Sequence, residues 1–152
     1  MDLIIGKNHK QVILTINDKE SGMLKMKNIA SKEAKVVTPA INEILEDWIP
    51  YINTITADNG KEFAGHQLVA KALNIDYFFA HPYHSWERGL NENLNGLIRQ
   101  YFKKGSDFSN ITERILDIQI ELNSRPKKRF EYQTSILVME KLLFNSEVAF
   151  MS

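Results

Sequence analysis

The sequence contains no cysteine, and this absence excludes two classes of site. Neither a disulfide nor a thiolate metal site can form anywhere in the 152 residues. No apolar run approaches the roughly 20 residues that a membrane span needs. No leader with a charged start, an apolar middle and a cleavage site is visible. We therefore expect one ordinary globular domain that has no membrane partner.

The chain also lacks a net charge, because 19 basic residues balance 19 acidic ones. Taken alone, neutrality argues against a nucleic-acid partner. The charge is unevenly distributed along the sequence, however. The segment from Gly96 to Phe130 contains eight basic and four acidic residues, and the segment from Ser31 to Glu62 contains three basic and six acidic residues. A neutral protein with one basic region can still bind a polyanion there.

Hydrophobic periodicity predicts the order of the elements. β-Branched and alternating segments predict five strands, at Asp2–Ile5, Gln11–Ile16, Met23–Ile29, Ile52–Ala57 and Ile75–Phe79. Helical spacing lies between the third and fifth strands, where Pro39 either kinks the first helix or opens it after a Thr38 cap. The order predicts an α/β fold with a five-stranded mixed sheet and helices on both faces.

Three further helices are predicted after the fifth strand, with a basic linker at Lys127–Arg129 before the last of them, which is expected at Thr134–Leu143. The first of the three has two distinct faces. Its apolar positions recur at helical spacing, at Leu90, Leu94, Leu97, Ile98 and Tyr101. The opposite face collects Glu92, Asn95, Gly96, Arg99 and Lys103. A solvated surface would explain this polar face. A functional surface would explain it equally well.

Three carboxylates are expected to share one edge of this sheet. Asp58 ends the fourth strand, Glu92 lies on the polar face of the helix after the fifth strand, and Asp2 lies on the first and central strand. Strand ends and helix starts meet at such an edge, where ligands usually bind. Converging carboxylates repel one another unless a cation is present, and oxygen ligands suit Mg²⁺ or Mn²⁺. The alternative is that Asp58 only forms a turn and Glu92 only faces water.

Two segments, 54-TITADNGKEF-63 and 81-HPYHSWERGLNENLNGLIRQYFKKGSDF-108, give the chain a family resemblance. They resemble the catalytic core of DDE transposases of the insertion-sequence-30 type, within the retroviral-integrase superfamily. The resemblance runs from Asp2 to about Pro126, and thirty-three residues separate Asp58 from Glu92, as the family's acidic triad implies. It implies a ribonuclease-H-like fold.

The resemblance also implies a chemistry and its residues. Asp2, Asp58 and Glu92 would be catalytic and would hold two Mg²⁺ (or Mn²⁺) ions per active site, for phosphodiester hydrolysis and DNA strand transfer at transposon ends. Asn95 and Arg99 would contact the transposon-end DNA. Further candidates for DNA contact are Arg88, Asn91, Lys103 and Lys104.

Several alternatives stay open at the level of single residues. Asp18, in the turn after the second strand, competes with Asp2 as the first acid. His81 and His84 are either metal ligands or polar, DNA-facing loop residues. The alternative for Asn91 is that it caps its helix and does nothing more. The alternative for the two lysines is that they keep the surface soluble and contact no phosphate.

The resemblance further implies a homodimer that binds transposon ends and target DNA in the bacterial cytoplasm, associated with the nucleoid. We expect residues 1–152 to form the catalytic core, without the start of its first strand and without the family's N-terminal DNA-binding region. Two rival functions are an inactive fragment that only dimerises or binds DNA, and a purely hydrolytic nuclease of the same fold.

Overall fold

The computed structural model describes residues 1–81 and 85–151, and the side chains of all of these except 85–88 and 150. The helices are α1 (Ala34–Leu45), α2 (His66–Leu73), α3 (Ser85–Tyr101), α4 (Thr112–Asn123) and α5 (Ser135–Met151). The strands are β1 (Asp2–Ile5), β2 (Val12–Asn17), β3 (Leu24–Ile29), β4 (Thr54–Ala57), β5 (Asp76–Phe79), β6 (Pro126–Lys127) and β7 (Gln133–Thr134). No described helix has the length and apolar character that a membrane crossing needs.

The first three strands form the predicted antiparallel meander. β1 pairs with β2 so that Asp2 lies opposite Thr15, and β2 pairs with β3 so that Val12 lies opposite Ile29. β4 and β5 pair in parallel. The two groups of strands meet where the Met1 nitrogen donates to the Thr56 carbonyl oxygen over 2.9 Å. The backbone hydrogen bonds of the described residues therefore divide the predicted five-stranded sheet into a three-stranded and a two-stranded part, which meet at Met1 and β4.

Alternation along β2 gives the sheet two apolar faces. Val12, Leu14 and Ile16 belong to a core that includes buried residues of α1, α2 and β4. Ile13 belongs to a second core, which is completed by α3 and α4. Because successive side chains of a strand point to opposite faces, five consecutive buried residues supply both cores at once. The predicted helices on both faces follow from this pattern.

Pro39 lies within α1, which begins five residues earlier at Ala34. Proline has no N–H to donate to the carbonyl of the preceding turn, and this usually breaks a helix. Here Pro39 and Lys35 are both exposed, whereas Val37 and Ala40 are buried on the other side. Solvent can therefore satisfy the carbonyl that lacks a partner, and the buried face holds the helix together.

Two elements near the C-terminal end differ from the sequence-based prediction. The basic segment expected to be a linker forms a short antiparallel pair, in which Pro126 lies opposite Thr134 and Lys127 opposite Gln133. The last helix was predicted to end at Leu143 and continues to Met151. The β6–β7 pair lies beside the β2–β3 turn, because the Lys127 ammonium donates to the Gly22 carbonyl over 2.9 Å.

Edge strand β3 is capped by side-chain amides of α4. The Leu24 N–H donates to Asn123 Oδ1 over 2.8 Å, and Asn123 Nδ2 donates to the Leu24 carbonyl over 2.9 Å. The Met26 N–H donates to Gln119 Oε1 over 2.7 Å. An edge strand presents unpaired backbone groups, and these amides satisfy them in place of another strand.

Replacing Asn123 by leucine removes both partners of Leu24 inside the protein. Each buried backbone group that loses its partner costs about 1–3 kcal/mol, so we expect Asn123→Leu to lower the free energy of unfolding by about 2–4 kcal/mol in urea titrations. Asn145→Leu, the same change at an exposed site in α5, is the matched control. A loss below about 0.5 kcal/mol for Asn123→Leu would contradict this account.

Candidate active site

Asp2 is held in one orientation by hydrogen bonds to both carboxylate oxygens. The Leu3 N–H donates to Oδ1 over 2.7 Å, and Asn95 Nδ2 donates to Oδ2. The backbone of Asp2 is fixed as well, because its carbonyl accepts a bond from the Thr15 hydroxyl at 3.2 Å. The Asp2 side chain is half-buried at the edge of the sheet. The first predicted acid is therefore ordered by β1, β2 and α3 together.

Asp58 follows the last residue of β4 and is exposed. Its carbonyl accepts a bond from the Gly60 N–H at 2.8 Å, which closes the predicted turn. Burial lowers the pKa of the Met1 amino group, and the carboxylates of Asp2 and Asp58 act on it in the opposite direction. Asp58 lines the same cavity as Met1, and Met1 bonds Thr56 of β4, so the first two predicted acids lie on neighbouring elements.

Glu92 is exposed on α3. Its neighbour Asn91 lines a cavity of about 310 Å³ together with Asp58, Met1 and β4. Within the described part of the chain, no three residues of the types His, Cys, Asp or Glu are grouped closely enough to hold a metal ion, and Asp2, Asp58 and Glu92 are all in that part. The structure thus places Asn91 at the Asp58 cavity, but it does not gather the three predicted acids into a group that could hold a metal ion.

Glu92 lies one helical turn from a residue that contacts Asp2. It precedes Asn95 by three residues on α3, and residues at this spacing are neighbours on a helix surface, with about 5–6 Å between their Cβ atoms. Asn95 itself bonds Asp2. Glu92 is thus flanked by Asn91, which lines the Asp58 cavity, and by Asn95, which touches the Asp2 carboxylate.

Arg99 has a role within the fold that its predicted DNA contact did not include. Its guanidinium donates to the carbonyl of Ile5 at 3.0 Å and to that of Phe102 at 3.5 Å. Partial burial lowers the pKa of Arg99. Arg99 therefore bonds the last turn of α3 to the end of β1, and Asn95, one turn earlier, bonds the helix to the start of β1.

The remaining candidates differ in their surroundings. Lys103 and Lys104 are exposed just beyond α3, and His81 is exposed as well. The side chain of Arg88 and the whole of His84 lie outside the described residues. The Asp18 carboxylate accepts bonds from the N–H and the hydroxyl of Ser21 at 2.7 and 2.5 Å, which organises the β2–β3 turn. Asp18 also lines the cavity that contains Asp58.

Sequence reasoning missed two features of this site. It assigned Asn95 to DNA, whereas in the structure the amide of Asn95 bonds the first acid. It also placed no part of the last helix near the acids, whereas Met139 of α5 lines the Asp58 cavity. The helical face of Asn95 was a signal for the first feature, because Asn95 lies one turn beyond Asn91 and Glu92. The apolar composition of α5 held no comparable signal for the second.

Comparison with solved structures defines the class of fold. The structure matches the catalytic core domain of BIV integrase with a TM-score of 0.70, over all of this chain and 96% of that one, at 19% identity. The predicted ribonuclease-H-like α/β fold is thereby confirmed. The chain therefore has the fold of an integrase catalytic core domain.

Comparison with known sequences then identifies the family. The chain is 48% identical over its whole length to the transposase of insertion sequence element IS4351 from Bacteroides fragilis. It is 31% identical over 92% of its length to the transposase InsI of element IS30A from Escherichia coli K12. It therefore belongs with the transposases of insertion sequence elements, and the predicted resemblance to the insertion-sequence-30 type is confirmed.

The match covers only part of each relative. This chain spans 47% of the IS4351 transposase and 37% of the IS30A transposase. The transposase of element IS1086 from Cupriavidus metallidurans is 30% identical over 95% of this chain and 43% of its own length. No protein-family model matches the chain.

The contacts of Arg99 lead to a test of its structural role. A hydrogen bond from a charged donor contributes roughly 1.5–3 kcal/mol, less where solvent screens it, so we expect Arg99→Met to lower the free energy of unfolding by about 1–2 kcal/mol. Lys103→Met, one turn further along the chain and exposed, should leave unfolding unchanged in the same urea titration. Equal effects of the two substitutions would contradict a structural role for Arg99.

Proposed function

We propose that residues 1–152 are the catalytic core of a DDE-type DNA transposase, a polynucleotidyl transferase that hydrolyses phosphodiester bonds and transfers DNA strands at transposon ends. The observation that carries this proposal is the contact of Met1 with Thr56 of β4, which sets Asp2, the next residue after Met1, beside the strand that ends just before Asp58. A helix that bonds Asp2 through Asn95 and also bears Glu92 completes the arrangement. The identity to insertion sequence transposases supports it independently.

Asp2, Asp58 and Glu92 would hold two Mg²⁺ or Mn²⁺ ions. Three carboxylates are a donor set that these ions prefer. Asp58 lines the cavity that Met1 also lines, Asp2 follows Met1 in the chain, and Glu92 lies three residues from the amide that bonds Asp2. Ion binding would draw the three carboxylates closer together than they lie in this structure. When bound, the ions would activate water or a DNA 3′-hydroxyl and stabilise the leaving oxygen.

The protein's own groups would orient the acids and the DNA. Asn95 and the Leu3 N–H fix the plane of the Asp2 carboxylate, so that it needs no reorganisation when the substrate binds. Asn91 stands at the Asp58 cavity, where the end of a DNA strand would enter. Arg88, Lys103 and Lys104 would contact phosphates, and Asn95 and Arg99 would support the strand from the same helix.

The DNA partners would be transposon ends and target DNA, bound by a homodimer in the cytoplasm and associated with the nucleoid. Support for a dimer comes from α5, whose exposed apolar side chains include Leu137, Phe144 and Val148. Contiguous apolar surface of this kind often marks a protein interface.

Glu92→Gln tests the reaction, because it removes a charge from the site while keeping the size of the side chain. We expect the wild-type chain to nick supercoiled plasmid only with Mg²⁺ or Mn²⁺, and Glu92→Gln to reduce the rate at least about 10²-fold, corresponding to a loss of several kcal/mol of transition-state stabilisation. Glu113→Gln, at an exposed position of α4, is the control. Wild-type chain that never nicks plasmid would favour the inactive-fragment alternative.

Joining assays separate transposition from hydrolysis. A pre-cut oligonucleotide end should become covalently joined to plasmid, because strand transfer uses its 3′-hydroxyl in place of water. Nicking without joined products would reduce the proposal to a hydrolytic nuclease of the same fold.

Asn95→Ala tests the orientation of Asp2. Removal of a group that orients a metal ligand typically costs 10–100-fold in metal affinity, so we expect Mn²⁺ titration to show a loss of that size, with a matching rise in the Mn²⁺ concentration that nicking requires. The control is Asn93→Ala, the same change at an exposed position of α3. Unchanged Mn²⁺ affinity in a folded Asn95→Ala variant would remove the orienting role.

A further inference from the structure

Two turns that are distant in sequence form one basic patch, which we define as Lys7, His9, Lys10, Lys103 and Lys104. The Lys7 N–H donates to the Ser106 carbonyl over 2.9 Å and so joins the β1–β2 turn to the turn after α3. The contact is close: a Cβ placed on Gly6 would lie 2.7 Å from Phe108 Cδ2. Ser106 in turn bonds the Lys103 carbonyl through its N–H at 3.0 Å and its hydroxyl at 2.6 Å.

The patch concentrates positive charge on a chain that is neutral as a whole. All five residues of the patch are exposed. Within the two turns, 6–10 and 103–109, the single carboxylate is that of Asp107. The pKa of Asp107 is lowered mainly because the N–H and hydroxyl of Ser109 donate to it, with a further contribution from nearby Lys7. Four lysines and a histidine against one carboxylate make a local field that attracts polyanions.

The patch is connected to the acids by a helix and a strand that run in the same direction. Asn95 contacts Asp2, Arg99 contacts Ile5, and Ser106 contacts Lys7. The patch is therefore at the far end of both α3 and β1. At 1.5 Å per helical residue or 3.3 Å per strand residue, it lies about 15 Å from the acids by either route. This length corresponds to between four and five base pairs of duplex DNA, at about 3.4 Å each.

We propose that the basic patch binds the backbone of duplex DNA about four to five base pairs from the phosphate presented to the acids. The inference rests on the proposed function and extends it with a second contact region, fixed in distance by α3. Lysines suit this role, because a compact charge on a flexible stem attracts phosphate without reading sequence.

The surroundings of the patch favour a nucleic acid over an acidic protein. Protein interfaces are built on aromatic and other apolar residues and are depleted in lysine. Residues 6–10 and 103–107 contain no large apolar side chain, and Phe108 is 1% exposed. The patch therefore offers charge without an apolar anchor, and binding to a phosphate backbone requires nothing more.

The test compares two quadruple variants that lose the same charge. The patch variant carries Lys7→Gln, Lys10→Gln, Lys103→Gln and Lys104→Gln. The control variant carries Lys32→Gln, Lys35→Gln, Lys71→Gln and Lys141→Gln, at exposed positions elsewhere. Fluorescence anisotropy with a labelled 20-base-pair duplex in EDTA, over a series of salt concentrations, gives the affinity and its salt dependence for each full-length variant. Circular dichroism confirms that both variants fold.

We expect the patch variant to bind duplex at least tenfold more weakly than the control variant. The slope of log K against log salt should fall by about 0.9 for each lysine that contacts phosphate, and so by up to about 3.6 for four lysines. Equal affinities and slopes for the two variants would show that the basic patch does not bind DNA. This conclusion would hold even if the wild-type chain nicks plasmid in a Glu92-dependent way.

The reverse outcome is equally informative. Suppose that only the patch variant loses affinity for duplex and that the wild-type chain fails to nick plasmid. The patch is then supported as a DNA-binding surface, and the proposed reaction is contradicted. Wild-type chain that binds no duplex at low salt would overturn both.

Discussion

The alignment of α3 with β1 is the constraint on which the site depends. The helix meets the strand through polar side chains as well as through apolar packing, because Asn95 bonds the Asp2 carboxylate and Arg99 bonds the Ile5 carbonyl. These bonds set how far the helix is displaced along the strand. A displacement of one helical turn, about 5.4 Å, would remove Asn95 from Asp2 and Asn91 from the Asp58 cavity together.

Apolar packing alone could not fix this displacement. Leu94 and Ile98 of α3, and Phe102 just beyond its end, are buried in the core that the sheet also lines, and such a row recurs with nearly the same spacing at every turn. Packing of this kind allows α3 to slide along β1 at a moderate cost in free energy. The hydrogen bond to the half-buried Asp2 carboxylate opposes such sliding, because a buried polar group that loses its partner costs about 1–3 kcal/mol. The polar contacts therefore select one displacement among several that the apolar row allows.

Much of the fold could be predicted, because the periodicity of apolar residues within each segment indicates whether the segment forms a strand or a helix. Five consecutive buried residues in β2 feed both cores, and the strands and helices up to α4 fall close to where alternation and helical spacing indicate. What could not be predicted rests on long-range pairing. Asn123 caps Leu24 from 99 residues away, and Lys127 reaches Gly22 from 105 residues away. No pattern of neighbouring residues indicates either hydrogen bond. The β6–β7 pair was not predicted because it, too, depends on contacts with residues distant in the sequence.

The candidate site shows the same division. Asp2, Asp58 and Glu92 could be selected from the sequence, because turn chemistry, strand order and the family pattern agree on them. The role of Asn95 could not be selected, because an amide on a polar helix face is equally suited to DNA and to a carboxylate of the same chain. The packing of α3 on β1 gives Asn95 a partner within the chain, the Asp2 carboxylate, and its predicted contact with DNA stays a prediction. Arg99 likewise gains a partner that the sequence did not indicate, the Ile5 carbonyl.

The polar face of α3, which looks uniform in sequence, is thus divided along its length by what lies opposite each residue. Asn91, the seventh residue of α3, lines the cavity at the end of β4. Asn95 and Arg99, one and two turns further on, bond β1 and are only half-exposed. Lys103 and Lys104, just beyond the end of α3, are exposed. Among the described side chains of this face, those that do not bond β1 are therefore the surfaces open to a partner.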